Sequence, residues 1–265
     1  MASIISFTNH KGGVAKTTSA LNVAECLSRL GHRVLCIDMD PQGNLTQGLG
    51  VTHEPEYNTY SLLRGDCTLT DAIIHLEKFS EGELFLVPAT LDLAMAETEF
   101  IGRIRREFVL SDLLSRQVES FHYIIIDCPP SLGLLTINAL LASHHYIVPM
   151  RADFFSLQGL QKLIAAVDTF ARSGKVRLSM LGVFFCVYSS RKVLQRDAFS
   201  LVQKRLEEKV FEATIRESIA LSEAQSYGMP IYYYDKMREQ TSAGTVDYMR
   251  LSEQILERIR EEILA

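Results

Sequence analysis

The sequence predicts an α/β fold with a doubly wound, mainly parallel sheet flanked by helices. Short apolar segments alternate along the chain with longer amphipathic ones. Unbroken apolarity in the shorter segments is typical of strands covered on both faces. Sheets of this kind bind their ligands at the carboxyl ends of the strands. The predicted strands are Ile4–Thr8, Val34–Asp38, Phe85–Pro88, Tyr123–Asp127, Tyr146–Pro149 and Met180–Val187.

Longer stretches with helical spacing of apolar residues lie between and after these strands. Regular alternation of strand and helix predicts parallel pairing with right-handed crossovers. The predicted helices are Lys16–Leu30, Leu69–Leu76, Arg106–Gln117, Leu134–Ala142, Leu157–Arg172, Val193–Lys209 and Thr245–Ile263.

The composition predicts one domain spanning residues 1–265. An apolar content of 47% with 22% charged residues is typical of a globular chain that buries a sizeable core. The seven prolines and fifteen glycines are dispersed, and no linker, charge block or repeat divides the chain. No helix-turn-helix is expected before the first strand, so we do not expect operator-specific autorepression.

A cytoplasmic protein is predicted from two further features. No window reaches the roughly eighteen apolar residues of a membrane span, and the N-terminus lacks a basic segment followed by an apolar one. The five cysteines are odd in number, show no CxxC spacing and lie mostly in apolar runs. They are therefore predicted to be reduced, buried thiols rather than disulfides or metal ligands.

Charge is distributed unevenly along the chain. The net charge of −5 argues against a protein that is basic over its whole surface. Between Arg172 and Arg216, however, ten basic residues against four acidic ones give a net charge of +6, which leaves −11 for the remainder. A local basic surface is therefore predicted on an acidic protein.

A phosphate-binding loop is predicted where His10-Lys11-Gly12-Gly13-Val14-Ala15-Lys16-Thr17-Thr18 joins the first strand to the first helix. Gly12 and Gly13 allow the backbone to approach an anion closely, and the helix N-terminus adds unpaired N–H groups. Lys16 is predicted to contact the β- and γ-phosphates of ATP, and Thr17 to ligate Mg²⁺. The predicted nucleotide-binding residues are Lys11, Gly12, Gly13, Val14, Ala15, Lys16, Thr17 and Thr18.

Three carboxylates end two of the predicted strands. Asp38 and Asp40 flank one residue in Asp38-Met39-Asp40-Pro41-Gln42-Gly43-Asn44, so in an extended chain they face opposite sides and differ in role. Asp127 ends an apolar run that is followed by two prolines. Its place beside the phosphate loop predicts that it holds Mg²⁺, through water.

The loop departs from G-x-x-x-x-G-K-[ST], because His10 and Ala15 stand where glycines are expected and Lys11 precedes the glycine pair. K-G-G-x-x-K-[ST] resembles the deviant phosphate loop of the ParA/MinD class. D-x-D-P-Q-G-N resembles the switch I segment of the ParA/Soj partition ATPases. The resemblance continues through Val87–Ala94, Ile147–Met150, Phe154–Leu160 and Leu221–Pro230, and thus spans nearly the whole chain.

The resemblance implies a chromosome or plasmid partition ATPase with three catalytic residues. Lys11 reaches across an ATP-dependent homodimer to the partner's phosphates, Lys16 binds the phosphates of its own subunit, and Asp40 orients the hydrolytic water. Asp38 helps to order the Mg²⁺ shell, which makes Thr17, Asp38 and Asp127 the metal residues. The implied partners are double-stranded DNA, bound without sequence preference at the nucleoid, and a ParB-like protein that stimulates hydrolysis; membrane binding is not expected.

DNA contacts are implied in the +6 segment. Arg191 follows the last predicted strand and is the first candidate, and Lys192, Arg196 and Arg216 are weaker ones, since charged helices often present only a solvated face. Phosphate contacts predict strongly salt-dependent binding. The family places the loop Thr214–Ser218 near the adenine.

This sequence also departs from the family pattern. Ser189-Ser190 replaces a common Asp-Gly, and Gln225 replaces a common proline. Ala15 stands at a position where glycine is commoner. If its backbone requires a positive φ, the alanine costs on the order of 1 kcal/mol and turnover is slower.

Three alternatives remain open from the sequence. A reductive relative such as the nitrogenase iron protein needs paired cysteines for an Fe–S cluster, and no suitable pair is present. A MinD-like membrane-cycling regulator needs a basic amphipathic tail, whereas the predicted C-terminal helix has more acids than arginines. A low-turnover, ATP-gated adaptor that positions other cargo is compatible with Ala15.

Overall fold

One sheet organises the chain in the computed structural model, which describes residues 2–79, 81–115, 120–153 and 156–264. Within these ranges it has eight strands in the order β3-β4-β2-β5-β1-β6-β7-β8, and all neighbours are parallel except β3 and β4. The strands are β1 Ser3–Phe7, β2 Arg33–Asp38, β3 Ile74–His75, β4 Glu83–Val87, β5 Tyr123–Asp127, β6 His145–Arg151, β7 Ser179–Tyr188 and β8 Ile215–Arg216.

Helices connect the strands and cover both faces of the sheet. Four short 3₁₀ helices supplement them at Leu91–Met95, Phe100–Gly102, Arg106–Phe108 and Glu207–Lys209. The α-helices are α1 Lys16–Arg29, α2 Asn44–Gly48, α3 Thr59–Arg64, α4 Leu69–Ala72, α5 Ala96–Glu99, α6 Val109–Leu114, α7 Leu134–Leu141, α8 Ser156–Gly174, α9 Val193–Leu206, α10 Ile219–Ser226, α11 Ile231–Met237 and α12 Ala243–Leu264.

The predicted α/β class and parallel sheet are confirmed, and each of the six predicted strands is present within two residues of its predicted ends. The predicted helix Leu69–Leu76 is wrong after Ala72. There the chain turns into β3, which pairs antiparallel with β4, and His75 stacks on Phe85 with 4.6 Å between ring centroids. Tertiary pairing thus overrides the local helical pattern.

Two other predicted helices differ from the structure at their ends. The predicted helix Arg106–Gln117 begins as a 3₁₀ turn, and its α-helical part ends at Leu114. Residues 116 and 117 of that prediction lie outside the described residues, as do Phe154 and Phe155 of the family resemblance. The predicted helix Val193–Lys209 changes to 3₁₀ geometry after Leu206.

Alternate strand residues enter different cores, which explains the unbroken apolar strands. Ile5 and Phe7 of β1 pack with α1 and α12 on one face, whereas Ile4 packs with α6 and α7 on the other. A third core joins β6 and β7 to α8 and α9. All five thiols are free; four are buried, and Cys67 is partly exposed.

The sheet order places the predicted site residues side by side. β5 lies between β1 and β2, with Phe7 opposite Asp127 on one side and Asp38 opposite Asp127 on the other. The carboxyl ends of these three strands therefore bring the phosphate loop and the three carboxylates to one edge.

Candidate nucleotide-binding site

The phosphate loop runs from the end of β1 to the start of α1. Gly13 and Ala15 both have left-handed backbones, with φ of 69° and 60°. No atom lies within 4 Å of where a Cβ of Gly13 would be, so its φ rather than lack of space favours glycine. The structure therefore meets the condition stated for Ala15: its backbone has a positive φ, and the alanine is strained.

The two lysines of the loop occupy different surroundings. Lys16 is only 7% exposed, and its Nζ donates to the Lys11 carbonyl oxygen at 3.1 Å. Burial lowers the pKa of Lys16, and the charge of Asp127 partly opposes this. The Lys11 ammonium instead lies at the surface, 3.1 Å from the Asp153 carboxylate. One lysine is thus fixed inside the loop, and the other is presented outside it.

Asp127 is a buried carboxylate that lacks the usual partners. It is 0% exposed, and neither oxygen accepts a hydrogen bond of acceptable geometry from any described residue. Burial, and then the charge of Asp38, raise the pKa of Asp127 well above its usual range, while the nearby Thr17 hydroxyl and Lys16 act in the opposite direction. A buried, unpartnered carboxylate beside a threonine hydroxyl is the donor set that a hydrated Mg²⁺ fits.

Asp38 and Asp40 lie in different surroundings in the structure. Asp38 is fully buried and accepts hydrogen bonds from the Thr46 backbone N–H at 2.9 Å and hydroxyl at 2.7 Å, and from the Asp40 N–H. Burial raises the pKa of Asp38 to about 6. Asp40 lines the cleft beside the loop and accepts from the Gln42 N–H. Asp38 therefore anchors α2, and Asp40 is the acid that faces the cleft.

Thr46 completes this anchor, although it was not among the residues predicted from the sequence. Its hydroxyl donates to Asp38 and accepts from the Ala89 N–H at 2.9 Å, so it links β2 to the chain after β4. The contacts span 8 and 43 residues along the chain. No local sequence signal marks such a residue beyond a hydroxyl that closely follows D-x-D-P.

The cleft extends past the loop to α10. It is lined on that side by Ser222, Gln225 and Ser226, and the Gln225 amide donates to the Thr18 hydroxyl at 2.8 Å. In the sequence, Gln225 stands out only as a departure from a common proline. The structure shows that this departure places a polar group against the phosphate loop.

Comparison with known proteins agrees with this geometry. A family model described as an AAA domain matches residues 2–180. Over 256 residues the chain is 39% identical to the sporulation initiation inhibitor protein Soj of Bacillus subtilis, a match that covers 96% of this chain and 98% of that protein. The chain belongs to the ParA/Soj family of partition ATPases. It is also 36% identical over 261 residues to the chromosome partitioning protein ParA of Caulobacter vibrioides, with 97% of this chain and 95% of that protein covered.

Solved structures extend the comparison to the fold. Cobyrinic acid a,c-diamide synthase of Mycobacterium smegmatis, with bound ADP and magnesium, is 31% identical with a TM-score of 0.82, covering 98% of this chain and 96% of that one. Apo McdA of Cyanothece has a TM-score of 0.84 at 24% identity, with 98% and 100% covered. Because these names denote different activities, the fold alone does not decide function within this family.

The basic segment of this ParA/Soj family member does not form one surface. Arg172, Lys175 and Arg177 precede β7, whereas Arg191 and Lys192 follow it, so a whole strand separates the two groups. α9 then runs back toward the first group, where Lys209 lies 3.6 Å from Glu262. The net charge of +6 is thus divided between the two ends of the sheet.

The four DNA-contact candidates lie at the carboxyl end of β7 and β8, but in different environments. Arg191 and Arg196 are exposed, and the structure gives neither an ion pair with any described residue. Lys192 is 3.4 Å from Glu217. Arg216, in the predicted adenine loop, donates through Nε and Nη2 to Asp247 at 2.7–3.1 Å.

The C-terminal helix α12 is packed against the body of the protein. Its apolar residues Tyr248, Leu251, Ile255 and Ile259 are buried in the core shared with α1. These four side chains of α12 therefore belong to the protein core, whereas Ile263 and Leu264 at its end are exposed. Among the described helices, none is both long and apolar enough to span a bilayer.

Proposed function

We propose that this protein is a Mg²⁺-dependent ATPase that partitions DNA through a nucleotide-gated homodimer. The observation that carries the proposal is the buried, unpartnered Asp127 carboxylate next to Lys16 in a phosphate loop. The protein names of the relatives support the partitioning role, since those of Caulobacter vibrioides and Treponema pallidum are both described as chromosome-partitioning proteins.

The phosphates are proposed to bind the N–H groups between Gly12 and Thr18, with Lys16 alongside the β- and γ-phosphates. Thr17 and Asp127 would hold Mg²⁺, which neutralises phosphate charge when bound. Asp38 acts indirectly, because its oxygens already accept hydrogen bonds from Thr46 and Asp40. Asp40 is the acid that orients the hydrolytic water.

Lys11 is proposed to couple nucleotide to dimerisation. Its ammonium lies at the protein surface beside Asp153 rather than inside its own loop, so a second subunit's phosphates could reach it by replacing that carboxylate. A dimer presents two copies of the weak basic surface that contains Arg191 and Arg196. Two linked weak surfaces bind DNA far more tightly than one, so dimerisation alone switches DNA affinity. A ParB-like partner would stimulate hydrolysis and release the DNA.

A second candidate, the low-turnover adaptor, is favoured by the left-handed Ala15. Phosphate release with and without DNA and a ParB-type protein separates the two. Stimulation by both partners supports the partition ATPase, and slow release that neither partner changes supports the adaptor. An Asp40→Ala protein must lose hydrolysis yet keep nucleotide; if it hydrolyses ATP at the wild-type rate, the assignment of Asp40 is wrong.

Co-sedimentation tests the membrane alternative with the same protein. With ATP present, binding to plasmid DNA and not to anionic vesicles is expected. Binding to the vesicles and not to DNA would replace the proposal with a membrane-cycling regulator.

A further inference from the structure

The Lys11 side chain is held by an acid of its own subunit. Its Nζ lies 3.1 Å from Oδ1 and 3.5 Å from Oδ2 of Asp153. Asp153 follows the end of β6, and its N–H donates to the Arg151 carbonyl at 2.9 Å. The ammonium therefore lies beside the end of β6 in its own subunit.

The backbone of the loop is fixed to the same strand end. The Lys11 N–H donates to Asn9 Oδ1 at 3.0 Å, and Asn9 Nδ2 donates to the Pro149 carbonyl at 2.8 Å. A Cβ on Gly159 of α8 would lie 3.1 Å from His10 Cε1 and in ordinary contact, 3.7 Å, with Lys11 Cε, so α8 packs closely against this part of the loop. Both ends of Lys11 are thus positioned within one subunit.

We propose that Asp153 is a positioning residue that restrains Lys11 in its own subunit until a partner's triphosphate replaces the carboxylate. This inference rests on the proposed role of Lys11 in the dimer. The Lys11 ammonium can leave the Asp153 carboxylate for the more highly charged phosphates only when nucleotide is bound. The ion pair therefore raises the nucleotide concentration that dimer formation requires.

The expected effect is modest because the pair is partly exposed, with 33% of the Lys11 side chain and 45% of the Asp153 side chain accessible. An exposed ion pair changes the equilibrium constant of the process that breaks it by about 1.4- to 5-fold. Two pairs must open for each dimer, so Asp153→Asn should strengthen nucleotide-dependent dimerisation by about 2- to 25-fold. High salt should reduce the difference between variant and wild type.

Sedimentation equilibrium with AMPPNP and Mg²⁺ tests this on the full chain. Asp153→Asn should dimerise at lower AMPPNP than wild type, and Asp153→Glu, which keeps the charge, should stay near wild type. Asp112→Asn is the matched control, because it removes an exposed acid whose partner Arg105 is also 3.1 Å away. It should leave dimerisation unchanged. ADP affinity of monomeric Asp153→Asn should equal that of wild type.

A Lys11→Ala background shows whether Asp153 acts through Lys11. There, Asp153→Asn should have no further effect, and an equal gain in both backgrounds would overturn the proposal. If wild type dimerises through Lys11 but Asp153→Asn matches it, only this inference fails. If wild type never dimerises with AMPPNP, or Lys11→Ala dimerises as well as wild type, the proposed function fails first.

Discussion

Two groups of charged residues lie at the carboxyl ends of the strands, in opposite surroundings. Around β1, β2 and β5, Lys16, Asp38 and Asp127 are 7%, 0% and 0% exposed. Around β7 and β8, the side chains of Lys192 and Arg216 are 56% and 54% exposed. A buried charge depends on a few fixed partners or a ligand, whereas an exposed charge is already solvated.

This difference separates two kinds of binding. The buried group leaves the Asp127 carboxylate without a hydrogen-bond partner among the described residues, so a bound cation gains much from a single contact. In the exposed group, each residue contributes little free energy to DNA binding. Several contacts, repeated in a dimer, are therefore needed to bind DNA. Single substitutions should therefore have large effects in the first group and small ones in the second.

The largest effect is expected for Lys16→Ala. Loss of a buried cation beside the phosphates should weaken ATP binding at least about 100-fold, which corresponds to about 2.7 kcal/mol. Fluorescent ATP titration of the monomer measures it. Lys11→Ala is the matched control, since its ammonium lies outside the loop, and it should retain nucleotide. Wild-type affinity in Lys16→Ala would contradict the loop assignment.

Glu25, in the C-terminal half of α1, is another buried charged residue. It is 1% exposed, and burial raises its pKa from 4.5 to about 7. The folded carboxyl therefore binds its proton more tightly than the unfolded one. This contribution to stability is complete below pH 4.5 and lost as pH rises through about 7.

Glu25→Gln should remove the loss of stability that the Glu25 carboxyl causes as pH rises. From pH 4.5 to 8, the stability difference should shift in favour of the variant by on the order of 2–3 kcal/mol. Urea unfolding of the nucleotide-free protein across this range measures it, with the exposed Glu253→Gln as the control for removal of one carboxyl. Parallel pH profiles for wild type and Glu25→Gln would show that burial does not govern this group.

Within the exposed group, Arg216 and Arg191 should differ in what their substitution changes. Arg216→Ala removes the side-chain partner of Asp247, whose side chain is 10% exposed, and should lower stability by about 1 kcal/mol. Arg191→Ala should leave stability unchanged but weaken DNA binding and reduce the salt slope by about one for each subunit of the dimer. Thermal unfolding and salt-dependent DNA titrations measure both. A larger loss of DNA binding in Arg216→Ala would reverse their order.

The smallest effect is expected from backbone strain in the loop. Ala15→Gly should stabilise the nucleotide-free protein by about 0.5–1 kcal/mol, because glycine accepts its left-handed φ. Gly13→Ala should destabilise it by a similar amount, as its φ is also left-handed and no neighbour hinders a Cβ. Urea unfolding compares the two. Equal changes of the same sign would mean that φ is not the cause.

The first group was predictable from sequence because its residues are close along the chain or end recognisable strands. Lys16 and Thr17 follow a glycine pair, and Asp127 ends an apolar run. The parallel sheet then brings those strand ends together. What sequence could not show were contacts made only after folding. Thr46 reaches Ala89 across 43 residues, and the Lys11 ammonium reaches Asp153 across 142.

The second group was less predictable because charge along the sequence does not give position in the fold. Summed over Arg172–Arg216, the basic residues suggested one surface. β7 separates them into two groups, and Asp247, 31 residues from Arg216, pairs with one of the candidates. Very short elements were missed for a related reason. β3 and β8 have two residues each, too few to show a period.

DNA binding of the Asp40→Ala variant as a function of ATP tests the central claim most directly. Fluorescence anisotropy of a duplex of arbitrary sequence should rise only when ATP and Mg²⁺ are present. Adding Lys11→Ala to this variant should abolish the rise while ATP binding persists. DNA binding that needs no ATP, or that survives in the double variant, would contradict a dimer-forming switch controlled by Lys11.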